Sequence, residues 1–321
     1  MLNPLIIGKK QFQSHLIQAP LAGISCAPFR ELVWQFGGVA YCCTEMLSAA
    51  AIASGADSSP RYHTKFSQEQ DLCWQLSGNN PDILARASEQ AVKLGANLLD
   101  LNCGCPQPKI RKKNCGSKLL ADEKRLAELI KSMQIDKNIP VTIKMRIDAN
   151  RGEYDDAGVA KIIEDAGANA IIVHGRNWTH DYDVPCQLDA IANVAKAVSI
   201  PVIANGDITH SHQLARIFSQ TKCAGFMIAR ASVGQPWIYQ QIMAELNKKI
   251  FEKPSSFQIG QLFLKHIVGL IQLEGEKAAL LQSRQFGKYY GRDVMRKTEF
   301  LNCLYQVTTY SALEEVVLSY F

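Results

Sequence analysis

Eight short apolar runs recur along the chain with helix-compatible stretches between them, and this alternation limits the fold more than any other feature. The runs are His15–Pro20, Val39–Glu45, Leu72–Leu76, Asn97–Asn102, Pro140–Arg146, Ala170–His174, Ile200–Asn205 and Ala224–Ala229. Most are nearly continuous in apolar residues, as strands covered on both faces are. Their starts lie about 25 to 40 residues apart, the length of a strand plus a crossover helix. Between them, Pro81–Leu94 carries a helical face of Ile83, Leu84, Ala87, Ala91 and Leu94, and Gly95 follows as a stop. Asp122–Met133, Tyr154–Ala166, Leu188–Ala197 and His212–Ser219 read the same way. Gly95-Ala96-Asn97 and Gly167-Ala168-Asn169 are one helix-to-strand turn used twice. The expected fold is therefore α/β, a (β/α)8 TIM barrel. An open doubly wound sheet is the competitor, and no G-x-G-x-x-G follows the first run to support it.

The strand signal stops near Phe251. Glu252-Lys253-Pro254-Ser255-Ser256 reads as a linker, and Ile259–Leu273, Glu276–Tyr290, Asp293–Leu304 and Ala312–Tyr320 are helix-compatible. The expected division is a barrel over residues 1–250 and a small all-α helical domain over 251–321. At 321 residues and 47% apolar content the chain can bury a large core. The net charge of +5 is compatible with an anionic partner and proves none. The amino terminus does not read as a secretory leader, and no run approaches the roughly 20 apolar residues of a membrane helix. Six of the ten cysteines, Cys26, Cys42, Cys43, Cys73, Cys103 and Cys223, lie in or beside apolar runs. They read as small buried hydrophobes of a reducing compartment, so the expected location is cytoplasmic, with no membrane and no stable protein partner.

In parallel barrels chemistry collects at the carboxyl ends of strands. Those ends carry Pro20-Leu21-Ala22-Gly23, Glu45-Met46, Gln75, Asn102-Cys103-Gly104-Cys105-Pro106, Lys144 and Arg146, His174-Gly175-Arg176, Asn205-Gly206-Asp207, and Ala229-Arg230. Cys103 and Cys105 are spaced poorly for a zinc knuckle or a redox pair, and Cys115 lacks a partner set, so no metal is expected. Lys144 lies inside an apolar run. In a closed barrel such a lysine is costly unless it meets an anion or an electron-rich ring. Asn205-Gly206-Asp207 and Ala229-Arg230 end the seventh and eighth runs, the usual phosphate corner of a barrel. Arg230 adds a charge there. A phosphate corner without a dinucleotide fingerprint favours a mononucleotide cofactor. Flavin mononucleotide (FMN) fits, with Lys144 near the N1/C2 carbonyl region and Gln75 on the pyrimidine edge.

Taken in order, Gln18 to Ser25 with Pro28-Phe29-Arg30, Thr44-Glu45-Met46, Gln75-Leu76-Ser77-Gly78, Asn102 to Pro106, Gly116 to Leu120, Lys144-Met145-Arg146, His174-Gly175-Arg176, Asn205 to Ile208 and Pro236-Trp237 resemble the tRNA-dihydrouridine synthases over about 220 residues. The resemblance implies FMN-dependent reduction of uridine to 5,6-dihydrouridine in tRNA, with NADPH (or NADH) as electron source. It implies FMN contacts at Pro20, Leu21, Ala22, Gln75, Lys144, His174, Asn205, Gly206, Asp207, Ala229 and Arg230, and it places the family's proton-donating cysteine on Cys105. Ala229 and Ala231 depart from the family, where glycines are common, and Cys103 replaces a commonly apolar residue.

The chemistry is consistent with that assignment. The C5=C6 bond of uracil is conjugated with the C4 carbonyl, so hydride goes to C6 and C5 then takes a proton. An ordinary cysteine is mostly thiol at neutral pH and can donate. A buried structural thiol and a covalent nucleophile are the alternatives for Cys105. The base has to leave its stack to react, and Asn102, Arg146, His174 and Arg176 are candidates to hold it or a nearby phosphate. In the tail, Arg284, Lys288, Arg292 and Arg296 are four apart, steps that drift only about 40° each on one helix, so the first three form an expected stripe and Arg296 joins it if the helix continues past Gly291. Tyr289 and Tyr290 lie beside it as stacking candidates, and Arg284, Lys288 and Arg292 are candidate tRNA contacts. Two other functions fit parts of this pattern: an FMN barrel acting on a small dihydroorotate- or enoate-type substrate, and a flavin-free RNA-binding barrel.

Overall fold

The computed structural model describes residues 4–55, 59–148 and 152–321. Ten strands are present among them. A short antiparallel hairpin, β1 (Leu5–Ile7) and β2 (Lys10–Phe12), precedes eight parallel strands. These are β3 (Leu16–Gln18), β4 (Cys42–Ser48), β5 (Leu72–Ser77), β6 (Leu98–Cys103), β7 (Val141–Ile147), β8 (Ala170–Asn177), β9 (Val202–Asn205) and β10 (Gly225–Ile228). They hydrogen-bond in sequence order, and β10 closes the ring on β3. Each strand falls on one of the eight apolar runs, so the eight-stranded parallel barrel stands as expected. The apolar pattern does not predict the hairpin. Its Leu5, Ile7 and Phe12 join Ile17, Tyr41, Leu98, Ile172 and Met227 in one buried cluster, so it adds apolar side chains to the barrel's interior core.

The repeated Gly-Ala-Asn turn shows how local sequence sets register. Gly95 and Gly167 take φ of 96° and 94°, a conformation that suits glycine. The Asn97 side chain then accepts from the Leu72 N–H at 3.1 Å, and Asn169 accepts from the Val141 N–H at 2.8 Å. Each asparagine ties its strand to the first residue of the strand before it. Helix Pro81–Lys93 starts on Asn80, whose side chain accepts from Ile83 N–H, and it buries Leu84, Ala87, Ser88 and Ala91. Burying Leu84 contributes about 2 kcal/mol. Leu94 lies past the helix end and is exposed, because the chain turns there toward Gly95. The six cysteines read as hydrophobes are all buried.

Two compact units make up the chain, and each is discontinuous in sequence. The first takes Met1–Gly23, Val39–Ser58 and Gln70–Ala229 and contains every strand. The second takes Ile24–Gly38, Ser59–Glu69 and Arg230–Phe321. After β10 the described residues form helices and 3-10 turns only, including Ser256–Glu274, Glu276–Tyr290, Lys297–Gln306 and Tyr310–Tyr320. In the second unit helix Ala27–Phe36 packs against helix Ser256–Glu274, where a Cβ on Gly269 would sit 2.8 Å from Pro28. A buried ion pair, Arg30 Nε to Glu69 at 2.7 Å, ties two of its segments together. No helix among the described residues is long and apolar enough to cross a membrane.

Candidate active site

The register of the barrel lines up the strand-end residues. Gln75 pairs with Asp100 across β5 and β6, Asn102 with Lys144 across β6 and β7, Arg146 with His174 across β7 and β8, and His174 with Asn205 across β8 and β9. Irregular pairing in β4 between Cys43 and Met46, and in β7–β8 beyond Arg146, re-aims side chains at this end. Glu45 on the bulged β4 accepts from the Gly23 N–H at 2.6 Å and anchors the turn that follows Pro20-Leu21-Ala22.

A cavity of about 590 Å³ opens here. Pro20, Leu21, Ala22, Gln75, Asn102, Cys105, Lys144, Arg146 and His174 line it, together with Trp178, His180 and Tyr182 from the segment after β8. Cys105 is half-buried and belongs to the turn after β6. Its carbonyl accepts from Ser117 N–H at 3.1 Å, and a Cβ on Gly116 would come within 2.5 Å of the same carbonyl oxygen. Gly116 is therefore required both by its φ of 64° and by the closeness of the Cys105 turn. Cys103, at the end of β6, is fully buried, and burial raises its thiol well above the ordinary value.

A chain of side chains runs from the cavity wall to the buried Asp100. The N–H groups of Gly104 and Cys105 donate to Asn102 Oδ1 at 3.3 and 3.0 Å. Asn102 Nδ2 donates to Gln75 Oε1 at 2.7 Å, and Gln75 Nε2 donates to Asp100 Oδ2 at 2.8 Å. The Thr142 hydroxyl donates to the other carboxylate oxygen at 2.6 Å. Burial pushes Asp100 up to about 7, against the pull of Thr142, Gln75 and Lys144. Burial also pushes Lys144 down to about 8, opposed by the Asp100 charge. Lys144 Nζ donates to Asn205 Oδ1 at 3.0 Å, and Asn205 Nδ2 donates to the Met227 carbonyl at 2.8 Å. The lysine thus meets a carbonyl oxygen on one side and the cavity on the other.

A family sequence model described as dihydrouridine synthase (Dus) matches residues 17–319. A tRNA-dihydrouridine synthase B of Vibrio cholerae is 32% identical over 320 residues, 98% of each chain. One of Pseudomonas aeruginosa is 32% identical over 285 residues, 88% of this chain and 86% of the relative. The chain belongs to the dihydrouridine synthase family. This dihydrouridine synthase is accordingly an oxidoreductase, and its family reduces uridines in tRNA. Among solved structures, histamine dehydrogenase from Rhizobium sp. 4-9 superposes with a TM-score of 0.59 at 13% identity, over 83% of this chain and 50% of that one. The chain spans about half of that structure's length, and the likeness is one of fold.

Not every residue singled out in the sequence lines the cavity of this synthase. Asn205 reaches it through Lys144. Gly206 and Asp207, with φ of 126° and 53°, form a turn after β9, and Ala229 follows β10; none of the three lines the cavity. Arg176 is 2% exposed. It donates to Asp207 Oδ1 at 2.6 Å, to the Tyr182 carbonyl at 3.0 Å and to the Val184 carbonyl, and lies 3.2 Å from His174 Nε2. Its guanidinium therefore ties the segment after β8 to the turn after β9. Arg146 donates to the His180 carbonyl at 3.0 Å and faces the Tyr182 ring at 5.7 Å.

Arg230, Arg284, Lys288 and Arg292 belong to the second unit. The three-residue basic stripe is shorter than expected, because the helix ends at Tyr290 and Arg292 sits in a 3-10 turn. Arg292 is half-buried, donating Nε to the Tyr289 carbonyl at 2.9 Å and Nη2 to the Val233 carbonyl, so it satisfies a carbonyl at the helix end. Tyr290 is buried against Phe263 and His266 and is a core residue, not a stacking platform. Lys288 is exposed, with its ammonium 6.0 Å from the Tyr305 ring.

Four site residues escape a reading of the sequence. Asp100 leaves a signal, a carboxylate inside an otherwise apolar run. Trp178, His180 and Tyr182 leave none, since they come from an irregular segment whose path is set by Arg146 and Arg176. Cys186 lies there too, its N–H donating to Asp207 Oδ2 at 3.0 Å, and burial pushes its thiol up to about 11.

Proposed function

We propose that this dihydrouridine synthase binds FMN in the 590 Å³ cavity, takes electrons from NADPH (or NADH), and uses Cys105 to protonate C5 of a tRNA uridine. The observation that carries the reading is the convergence of the Cys105 thiol, the Lys144 ammonium and the side-chain amides of Gln75 and Asn102 on a single cavity. The donor set suits the cofactor. Lys144 offers a cation to an electron-rich ring, Gln75 and Asn102 offer amides to an imide edge, and Pro20, Leu21 and Ala22 offer an apolar wall. Asn205 accepts from Lys144, and His174 lines the same cavity as the lysine. The turn at Gly206 and Asp207, with Ala229, is assigned to the phosphate, since a turn at the carboxyl end of a barrel strand presents backbone N–H groups to an anion.

When bound, FMN supplies hydride to uracil C6. The protein's part is to hold the base and deliver a proton. Cys105 Sγ–H gives its proton to C5 as the C5=C6 bond is saturated, and the thiolate left behind regains a proton from water. In sum, uridine, NADPH and one proton yield dihydrouridine and NADP⁺. With FMN bound, Lys144 would hold the ring and supply a positive charge beside it. Asn102 and Arg146 contact the base, and Arg176 shapes that site by holding the Tyr182 segment. The residues 251–321 are assigned to tRNA binding through Arg284, Lys288 and Arg292, and the enzyme works in the cytoplasm without a stable protein partner.

Cys105→Ala tests this. The variant is expected to keep bound yellow flavin and NADPH oxidation and to lose dihydrouridine formation by orders of magnitude, while Cys103→Ala costs far less. Near-normal product from Cys105→Ala would reject the assignment. Mass spectrometry of tRNA from a strain lacking the gene separates tRNA reduction from work on a small molecule.

A further inference from the structure

We propose that Asp100 is a positioning residue: it sets which way the amides of Gln75 and Asn102 face, and thereby holds the Cys105 turn. This rests on the reading of Cys105 as the proton donor. The reasoning follows hydrogen-bond direction. The backbone N–H groups of Gly104 and Cys105 can only donate, so Asn102 has to turn its oxygen toward them, as it does at 3.3 and 3.0 Å. That leaves the Asn102 NH2 facing Gln75, which has to answer with its oxygen, at 2.7 Å. The Gln75 NH2 then faces residue 100, and only an acceptor can close the sequence. Asp100 Oδ2 supplies it at 2.8 Å, inside a barrel where Asp100 is 3% exposed. Every link is head to tail, and no link can reverse without leaving a buried donor unpaired. Neither Asp100 nor Thr142 lines the cavity, so the effect on Cys105 passes through the two amides.

The acceptor is what matters, not the charge. Asp100→Asn can keep its oxygen toward Gln75 and turn its NH2 to Thr142, whose hydroxyl then donates to the Leu99 carbonyl, 3.3 Å away. Asp100→Leu cannot, and strands the Gln75 NH2. If Asp100 acted instead as counter-charge to Lys144, the two variants would fail alike.

The test compares holoenzyme carrying Asp100→Asn, Asp100→Leu or Cys105→Ala. Two readouts are used: single-turnover formation of dihydrouridine, and hydrogen exchange at the amides of Gly104 and Cys105. Asp100→Asn is expected within about threefold of the parent in both. Asp100→Leu is expected to lose product formation by roughly thirtyfold or more and to exchange those amides roughly tenfold faster. Gln75→Leu breaks the same chain one link on and is expected to raise the exchange equally, which keeps the test open if Asp100→Leu does not fold. Parent-like exchange in Asp100→Leu or Gln75→Leu, or equal failure of Asn and Leu at position 100, overturns the proposal. Activity in Cys105→Ala would instead overturn the proton-donor reading, and the exchange result would still show whether the amides hold the turn.

Discussion

Replacing Asp100 by asparagine is expected to change how the protein's stability depends on pH. Asp100 is buried, and its folded-state value near 7 lies well above the ordinary 3.8. The unfolded chain ionises this carboxyl at the ordinary value, so between about 4 and 7 the unfolded state binds fewer protons than the folded one. Stability supplied by the neutral acid is complete below about pH 4 and is lost as pH rises to about 7. The gap between 3.8 and about 7 corresponds to about 4 kcal/mol. Asp100→Asn removes this titration and retains the oxygen that faces Gln75. Relative to the parent, the variant is therefore expected to gain up to about 4 kcal/mol between pH 4 and pH 7. Lys144 reduces that gain, because the variant also removes the charge that supports its ammonium. The assay is urea unfolding of both proteins at about pH 4.5, 5.5, 6.5 and 7.5, with matched cofactor content and slopes checked for equality. A difference between the proteins that stays constant across this range would refute the idea that burial disfavours the Asp100 charge.

Two further outcomes are expected. Gly116→Ala places a Cβ 2.5 Å from the Cys105 carbonyl at a φ of 64°; it should cost about 2 kcal/mol or more in thermal unfolding and slow dihydrouridine formation at least about tenfold. Parent-like values for both would show that the Cys105 turn is not confined by that glycine. Neutralising Arg284 and Lys288 together should weaken tRNA binding and flatten its dependence on salt by about 0.7 to 0.9 per lost phosphate contact. An unchanged slope would remove this helix from tRNA recognition. Arg292 is left out of that variant because its guanidinium holds the carbonyls of Tyr289 and Val233.

Much of the barrel is legible in the amino-acid order because parallel strands and their helices write local patterns. The eight apolar runs, the two Gly-Ala-Asn turns and the polar residue at each strand end depend on neighbours a few residues away. Cys105, Lys144 and Gln75 stand out on that basis, since a polar group at the tip of a buried strand is costly unless a ligand or a partner meets it. Other features need partners far off in the chain. The β1–β2 hairpin is only three residues a side, too short to show a period, and its burial in the barrel core comes from the fold. Tyr290 and Arg292 look like surface residues by spacing, but one is core and the other caps a helix end. Asp100 is visible as a carboxylate in an apolar run, yet its partner Gln75 is apparent only once the pairing of β5 with β6 sets the two side by side. Sequence alone shows which strand-end residues reach the carboxyl end of the barrel, because covalent order and the apolar runs suffice for that, but not the Trp178–Tyr182 segment that joins them there. Tertiary structure decides which of them share a cavity, which spend their donors on backbone, and which way each amide points. Those outcomes depend on inter-strand register and burial, and both are set by contacts between residues remote in sequence.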